Sequence, residues 1–163
     1  MIFKRKIHNT VLYNTLLVLS RNIFFYKDLS MKDTFETRIY LMFFHYSIIL
    51  LVLKKKNFRQ DQDNYNSLFF SIEDNLRELG FGDITVNKKM KELNKLFYDI
   101  LLKLNNEKDG FKMNKNIIKK YFNEIFNNDK KVTKLQDYFE NFYNFCFEIQ
   151  DENMIKELKN YKF

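Results

Sequence analysis

Histidine and cysteine, the side chains that most often bind metals or act as catalytic bases and nucleophiles, are scarce in this sequence. The chain has two histidines, His8 and His45, and one cysteine, Cys146. Their spacing matches no usual zinc site, and no phosphate-binding glycine loop, nucleophile elbow or paired-histidine helix motif is found. The sequence therefore predicts a protein with no metal, no cofactor and no enzymatic activity.

Arg38 and His45 are polar residues within a mostly apolar stretch, and they are seven residues apart. This spacing is two helical turns, so both side chains lie on one helix face. One interpretation is a polar spot in a groove that binds a protein partner. The other, which we favour, is a buried pair satisfied by acids of the next helix, such as Asp74 or Glu78, because buried polar groups need partners. Both interpretations predict neutral or acidic atoms around His45.

A second polar cluster surrounds two glycines later in the chain. Gly80 is suited to a left-handed helix C-cap and Gly82 to a tight turn, which are purely local roles. Helix geometry does not by itself require Arg77 or Glu78, so we hypothesise that this loop borders a partner-binding surface. The complete set of hypothesised partner-binding residues is Arg38, His45, Asp74, Arg77, Glu78, Gly80, Gly82 and Asp83.

Positive charge is concentrated in the first part of the chain. The formal net charge is +7, and residues 1–60 carry 11 Lys or Arg against three acids. Such a field favours anionic partners, for example ribosomal RNA or a phospholipid surface. The predicted contacts with an anionic surface are Lys54, Lys55, Lys56 and Arg59. A solvated helix end, where cations suit the helix dipole, is the alternative explanation of the same run.

The sequence also carries information about compartment. A lone cysteine cannot form an intramolecular disulfide, and Cys146 lies in an aromatic run where burial is expected. The basic start followed by apolar residues 11–19 superficially resembles a signal peptide but lacks a small-residue cleavage site. The apolar stretch 41–53 has 13 residues, whereas a membrane span needs about 20. We therefore expect a cytoplasmic protein, able to associate peripherally with the inner membrane, in which this stretch forms a core helix.

Helical periodicity runs through the whole chain, and strand-like alternation never persists. The sequence thus predicts an all-α fold, a single compact helical bundle of six or seven helices forming one domain over residues 1–163. The second helix is apolar nearly all round its centre and should be the central one. Predicted helices cover residues 11–26, 34–57, 65–79, 85 to before 109, from 114, from 133, and 151–161.

Cap residues predict where these helices begin and end. Asp33 is followed three residues later by Glu36, and Thr133 by Gln136, which is the spacing of a capping box. Each pair therefore predicts a helix start. The other predicted caps are Asp83 or Thr85 for the fourth helix, Asn114 for the fifth, and Gly80 at the end of the third.

Three stretches within residues 10–100 form a further pattern. The first holds Arg21, Phe25 and Tyr26, then residues 33–36 and Arg38. The second holds His45 and Leu53. The third, the most specific, reads NLRELGFGDI over residues 75–84 and continues through Met90 to Phe97 and Tyr98. Glycine and arginine are scarce in this chain, so composition alone does not explain the run. In this order and spacing, the three stretches resemble the ubiquinol-cytochrome c chaperone family.

The resemblance implies an all-helical, non-enzymatic factor for assembly of the respiratory bc1 complex. Mitochondrial members of the family receive newly made cytochrome b near the ribosomal tunnel exit. By resemblance, this chain would bind cytochrome b or another bc1 assembly component, with no cofactor, no metal and no DNA. Asn22, Phe70 and Asp99 depart from the family pattern and affect surface details.

Two other function classes follow from the residues themselves. A ribosome- or RNA-binding helical module would use the basic first sixty residues. A hydrolase acting on lipid-linked substrates would rest only on the apolar surface and His45. The assembly chaperone is the function that the sequence favours.

Overall fold

Seven α-helices make up the regular structure in the computed structural model, which describes residues 10–58, 62–104, 110–150 and 154–163. A π-helical turn (Phe24–Asp28) follows the first helix, and a 3₁₀ turn (Leu158–Asn160) follows the last. The described residues contain no strand, which confirms the predicted all-α bundle. The helices are α1 (Val11–Ser20), α2 (Phe35–Lys55), α3 (Gln62–Glu78), α4 (Asp83–Leu104), α5 (Lys115–Tyr121), α6 (Asp129–Glu148) and α7 (Met154–Glu157).

Helix α2 is the centre of the bundle, as predicted. It packs against α1, α4 and α6, and every residue from 41 to 52 is buried. By length and composition alone α2 could cross a membrane, but 72% of its most apolar stretch is buried inside the bundle. Its apolar surface is therefore used for helix packing, which confirms the prediction of a core helix.

The start of α2 differs by one residue from the predicted capping box. Thr34 is the N-cap, and its hydroxyl accepts a hydrogen bond from the Thr37 amide at 3.2 Å. Asp33 instead forms an ion pair with Arg38, with 2.7 Å between Oδ1 and Nε. The prediction of Asp33 as the cap was wrong because two neighbouring residues are both good caps, and the carboxylate here has a guanidinium to bind.

The start of α6 was also placed wrongly. Asn128 is the N-cap, accepting from the Lys131 amide at 3.1 Å, so Thr133 lies inside the first turns of the helix. The Gln136 side chain donates to the carbonyl oxygen of Met113 at 2.6 Å instead of reaching back to a cap. A tertiary contact has taken the side chain that the capping-box pattern required.

The start of α4 and the end of α1 also differ from the boundaries predicted from the sequence. Helix α4 begins at Asp83, where the Val86 amide donates to the Gly82 carbonyl at 2.9 Å, so Thr85 lies within the first turn and does not cap it. The predicted first helix ends at Ser20 instead of continuing to residue 26. Asn22 then accepts from the next turn's backbone, at 3.0 Å from the Phe24 amide.

Helix α5 begins as predicted, with Asn114 as N-cap and its side-chain oxygen 2.8 Å from the Asn116 amide. It ends at Tyr121, although apolar residues continue at helical spacing through Phe122, Ile125 and Phe126. Ile125 remains fully buried in the turns that follow. The apolar spacing there therefore reflects burial of the side chains and not a helical backbone. The last helix is shorter than predicted, and residues 151–153 of that prediction lie outside the described residues.

The final segment closes the bundle against its beginning. Helix α7 and the 3₁₀ turn pack on α1, and the Thr15 hydroxyl donates to the Ile155 carbonyl at 3.1 Å. The Tyr161 hydroxyl donates to the Tyr138 carbonyl at 3.1 Å, which attaches the segment to α6 as well. The rings of Phe24 and Phe163 are 4.9 Å apart between centroids. Residues 154–163 therefore contribute to the core, through Met154, Leu158 and Tyr161.

Candidate functional site

The connection between α3 and α4 is built on Gly80, which has a positive φ of +94°. Its amide donates to the Arg77 carbonyl at 2.9 Å, and the Phe81 amide donates to the Leu76 carbonyl at 3.4 Å. This pair of bonds is a Schellman cap, which satisfies carbonyls at a helix end and requires the left-handed conformation. The predicted C-cap is confirmed. We call residues 77–83 the α3–α4 corner.

Arg77 links the two helices at this corner. Its Nη2 atom lies 3.0 Å from the Glu73 carboxylate, and Nη1 donates to the Asp83 carboxylate at the first residue of α4. The hydrogen bonds from Arg77 to Asp83 and then Glu73 raise the pKa of the guanidinium. Asp74 and Glu78 are exposed beside it. The sequence-predicted residues from Asp74 to Asp83 are thus all exposed in or next to this corner.

Apolar side chains project from the same corner. Leu79 is 56% exposed and Phe81 is 39% exposed. The Lys89 ammonium lies 4.8 Å from the centroid of the Phe81 ring. Neighbouring exposed apolar groups flanked by ordered charged side chains are typical of surfaces that contact other proteins. The sequence pointed to the charged residues here and not to these apolar ones. Leu79 continues the apolar spacing of α3, which suggested burial.

His45 lies in the core, not on this surface. It is fully buried, with Nδ1 2.6 Å from the Leu41 carbonyl oxygen and Nε2 2.8 Å from the Tyr138 hydroxyl. Burial lowers its pKa to about 4, so the imidazole is neutral. A carbonyl can only accept, so Nδ1 carries the proton and Nε2 accepts from Tyr138. The expected acidic partners from the third helix were wrong, and a phenol of α6 takes their place.

Arg38 does not share this environment. Its guanidinium is paired with Asp33, and its side chain is 35% exposed. His45, two turns further along the same helix, has no exposed surface. The two residues therefore do not form one polar spot, and His45 has the contacts of a structural residue that fixes α2 against α6.

The basic run at the end of α2 is partly used inside the molecule. Lys55 donates to the Gly110 carbonyl at 2.9 Å, and Lys56 donates to the Ile149 carbonyl at 2.8 Å. Each ammonium also lies over an aromatic ring of α6, at 5.3 and 5.2 Å from the centroid. These two lysines hold the ends of α2 and α6 together. The other residues predicted to contact an anionic surface are Lys54, which is exposed, and Arg59, which lies outside the described residues.

A cleft of about 370 Å³ lies where the start of α2 meets α4 and the segment after α5. This cleft is not predictable from the sequence, because its walls come from segments about ninety residues apart. Its mixed lining of hydroxyls, carboxylates and rings contains no histidine or cysteine. The lining residues are Met31, Thr34, Glu36, Thr37, Tyr40, Leu96, Lys120, Tyr121, Phe122, Asn123 and Glu124.

A charged cluster supports one wall of this cleft. The Asp99 carboxylate accepts from Lys120 at 2.8 Å and from the Tyr121 hydroxyl, and it pairs with Lys103 at 2.9 Å. Desolvation by itself would raise the pKa of Asp99, but these hydrogen bonds outweigh it and hold the pKa below its usual value. Among the described residues, no group of three His, Cys, Asp or Glu side chains is arranged to hold a metal ion.

Comparison with known families identifies this all-α bundle. The family described as Ubiquinol-cytochrome C chaperone matches residues 27–157. Because this match spans most of the chain, the protein belongs to the ubiquinol-cytochrome C chaperone family. The resemblance is confirmed from residue 27 onward, and the family match continues past residue 100 through α6. Comparison with curated proteins and with solved structures gives no significant match.

Proposed function

We propose that this protein binds newly made cytochrome b, or another assembly component, during assembly of the bc1 complex. Family membership over residues 27–157 is the observation that carries the proposal, and it supports a chaperone role in bc1 assembly in general. A chaperone for a membrane protein needs exposed apolar groups held in a fixed arrangement. The all-helical fold with an ordered, partly apolar corner meets that need without catalysis.

The α3–α4 corner is the surface we assign to this contact. Leu79 and Phe81 supply apolar anchors, and burying such a side chain contributes about 1.5–3 kcal/mol. Arg77 is already held by two carboxylates, so little side-chain entropy is lost when a partner docks beside it. The polar contributors we propose are Asp74, Arg77, Glu78, Gly80, Gly82 and Asp83 at the corner. Arg38, at the start of α2, is proposed as a separate contact, and His45 acts only by positioning α2.

A deletion strain probed for cytochrome b and bc1 activity tests the proposal. We expect both to fall, because unassembled cytochrome b is not protected. Normal levels of both would refute the proposed function. Complementation then locates the surface: an L79S/F81S double variant should fold but restore bc1 poorly.

The matched control replaces two apolar residues of similar exposure elsewhere, as V18S/F126S. This control should restore bc1 fully. Arg77→Ala is measured in parallel for thermal stability and for bc1 assembly per folded molecule. Lost stability with normal assembly per folded molecule would remove Arg77 from the contact surface.

Binding to ribosomal RNA through the basic first sixty residues is the second candidate. The excess of cations there supports it, whereas the internal contacts of Lys55 and Lys56 weaken it. Filter binding with a salt titration distinguishes the two, since affinity for RNA falls steeply with salt. Tight, steeply salt-dependent RNA binding would favour this candidate over the chaperone.

A further inference from the structure

The outer face of α4 carries a stripe of exposed side chains that the proposed function does not use. Their steps of four and three residues place all of them on one side of the helix. The stripe is about 27 Å long at 1.5 Å per residue. We call it the basic face of α4, and it consists of Ile84, Lys88, Lys91, Lys95, Tyr98 and Leu102, all exposed.

The centre of this face is positively charged. No ion pair between the described residues involves Lys88, Lys91 or Lys95. Glu92 borders the lysines on one side and offsets part of their charge. Further along that side, Asp99 is held by two lysines, which leaves this edge positive as well.

The two ends of the basic face are apolar. Ile84 is 88% exposed at one end, while Leu102 is 67% and Tyr98 is 50% exposed at the other. The opposite side of α4 packs on the core through Val86 and Phe97, so the helix is held in the bundle with this face outward. A basic centre with aliphatic and tyrosine side chains at its ends is the composition of helices that lie in a membrane interface.

We infer that the basic face of α4 binds the surface of an anionic phospholipid membrane. The lysines reach phosphate groups with their ammonium ends while their stems cover apolar surface. Ile84 and Leu102 enter the boundary between headgroups and acyl chains, and Tyr98 suits that boundary. Charge complementarity alone also fits RNA, but a phosphate backbone offers nothing to bury two highly exposed aliphatic side chains. The membrane accounts for both features of the face.

Vesicle flotation tests this inference independently of bc1 assembly. Wild-type protein should float with vesicles of phosphatidylcholine and phosphatidylglycerol and not with phosphatidylcholine alone. The K88Q/K91Q/K95Q variant should bind about 100-fold more weakly, because each lysine near an anionic surface contributes about 1 kcal/mol, or roughly fivefold. The matched control, K130Q/K134Q/K159Q, removes the same charge from exposed lysines that take part in no ion pair between the described residues. It should bind like wild type.

A second variant tests the apolar ends. I84S/L102S should lose the salt-resistant part of vesicle binding and keep the salt-sensitive part. The inference would be overturned if K88Q/K91Q/K95Q and the control K130Q/K134Q/K159Q lost vesicle affinity equally. It would also be overturned if the wild-type protein did not bind anionic vesicles. Binding of an RNA oligonucleotide that depends on these lysines, without vesicle binding, would overturn it in favour of nucleic acid. Circular dichroism on each variant confirms that the bundle is intact.

Discussion

His45 couples the stability of the fold to pH. Burial lowers its pKa from 6.5 to about 4, so between these values the unfolded chain binds a proton that the folded chain does not. The free energy of unfolding should therefore fall as the pH drops from 6.5 to 4. The full loss from this one group is about 3 kcal/mol. Urea denaturation at a series of pH values measures it.

His45→Gln provides the control for this prediction. Glutamine keeps a polar amide at the position but does not titrate, so the variant should be less stable at pH 8 and depend less on pH between 6.5 and 4. Carboxylates contribute equally to the pH dependence of the free energy of unfolding in both proteins, so the difference between the two slopes comes from His45. Identical slopes for variant and wild type would show that His45 is not the titrating group.

Ser47 is a polar residue that the core tolerates at a cost. Its hydroxyl is fully buried and has no hydrogen-bond partner among the described residues. Replacing it with alanine removes an unsatisfied polar group, so Ser47→Ala should stabilise the protein by about 1 kcal/mol, raising Tm by about 3 °C. Ser20→Ala is the matched control, because the buried Ser20 hydroxyl donates to the Leu17 carbonyl at 2.8 Å. A gain in stability for Ser20→Ala, or a loss for Ser47→Ala, would show that the unpaired Ser47 hydroxyl does not destabilise the core.

At the level of single residues, the sequence predicts those features that depend only on residues nearby in the chain. Gly80 as a helix cap was predictable because the left-handed requirement is local. The partner of His45 was not predictable, since Tyr138 lies 93 residues away and both a phenol and a carboxylate satisfy an imidazole. The exposure of Leu79 was missed for a related reason, because the last turn of a helix leaves the packed face of its bundle.

The α3–α4 connection permits a direct test of glycine geometry. Gly80 has φ of +94°, whereas Gly82 has no positive φ, and a Cβ at either position would meet open space. Gly80→Ser should therefore cost about 1 kcal/mol from backbone strain alone. Gly82→Ser should change stability by less than about 0.5 kcal/mol. Thermal unfolding of both variants measures the difference, and equal effects would exclude strain as the cause.

Helix boundaries show why elements are easier to predict than their ends. Periodicity identified each helix, because one face of every helix packs on the core. The starts were ambiguous where several cap-forming residues stand close together, as with Asp33 and Thr34 or Asn128 and Thr133. Only tertiary contacts select among such candidates. The cleft beside Asp99 was unpredictable for the same reason, since its walls meet only in the folded bundle.

Cys146 reports on the whole molecule. Its thiol is fully buried on α6, and burial raises its pKa well above the usual value. A thiol reagent should therefore react only after the bundle opens, and the labelling rate should follow the global free energy of unfolding. Labelling along a urea titration measures this, with fully denatured protein as the reference for unhindered reaction. Rapid, complete labelling in native buffer would show that α6 opens separately from the rest.

The packing of residues 154–163 against α1 has a consequence for the order of translation. A ribosome makes α1 well before this segment, yet part of the buried surface of α1 rests on it. Polypeptides halted before residue 154 would therefore leave an apolar helix uncovered, and proteases would recognise them as incomplete. Vectorial synthesis thus delays native docking of α1 until these late residues emerge.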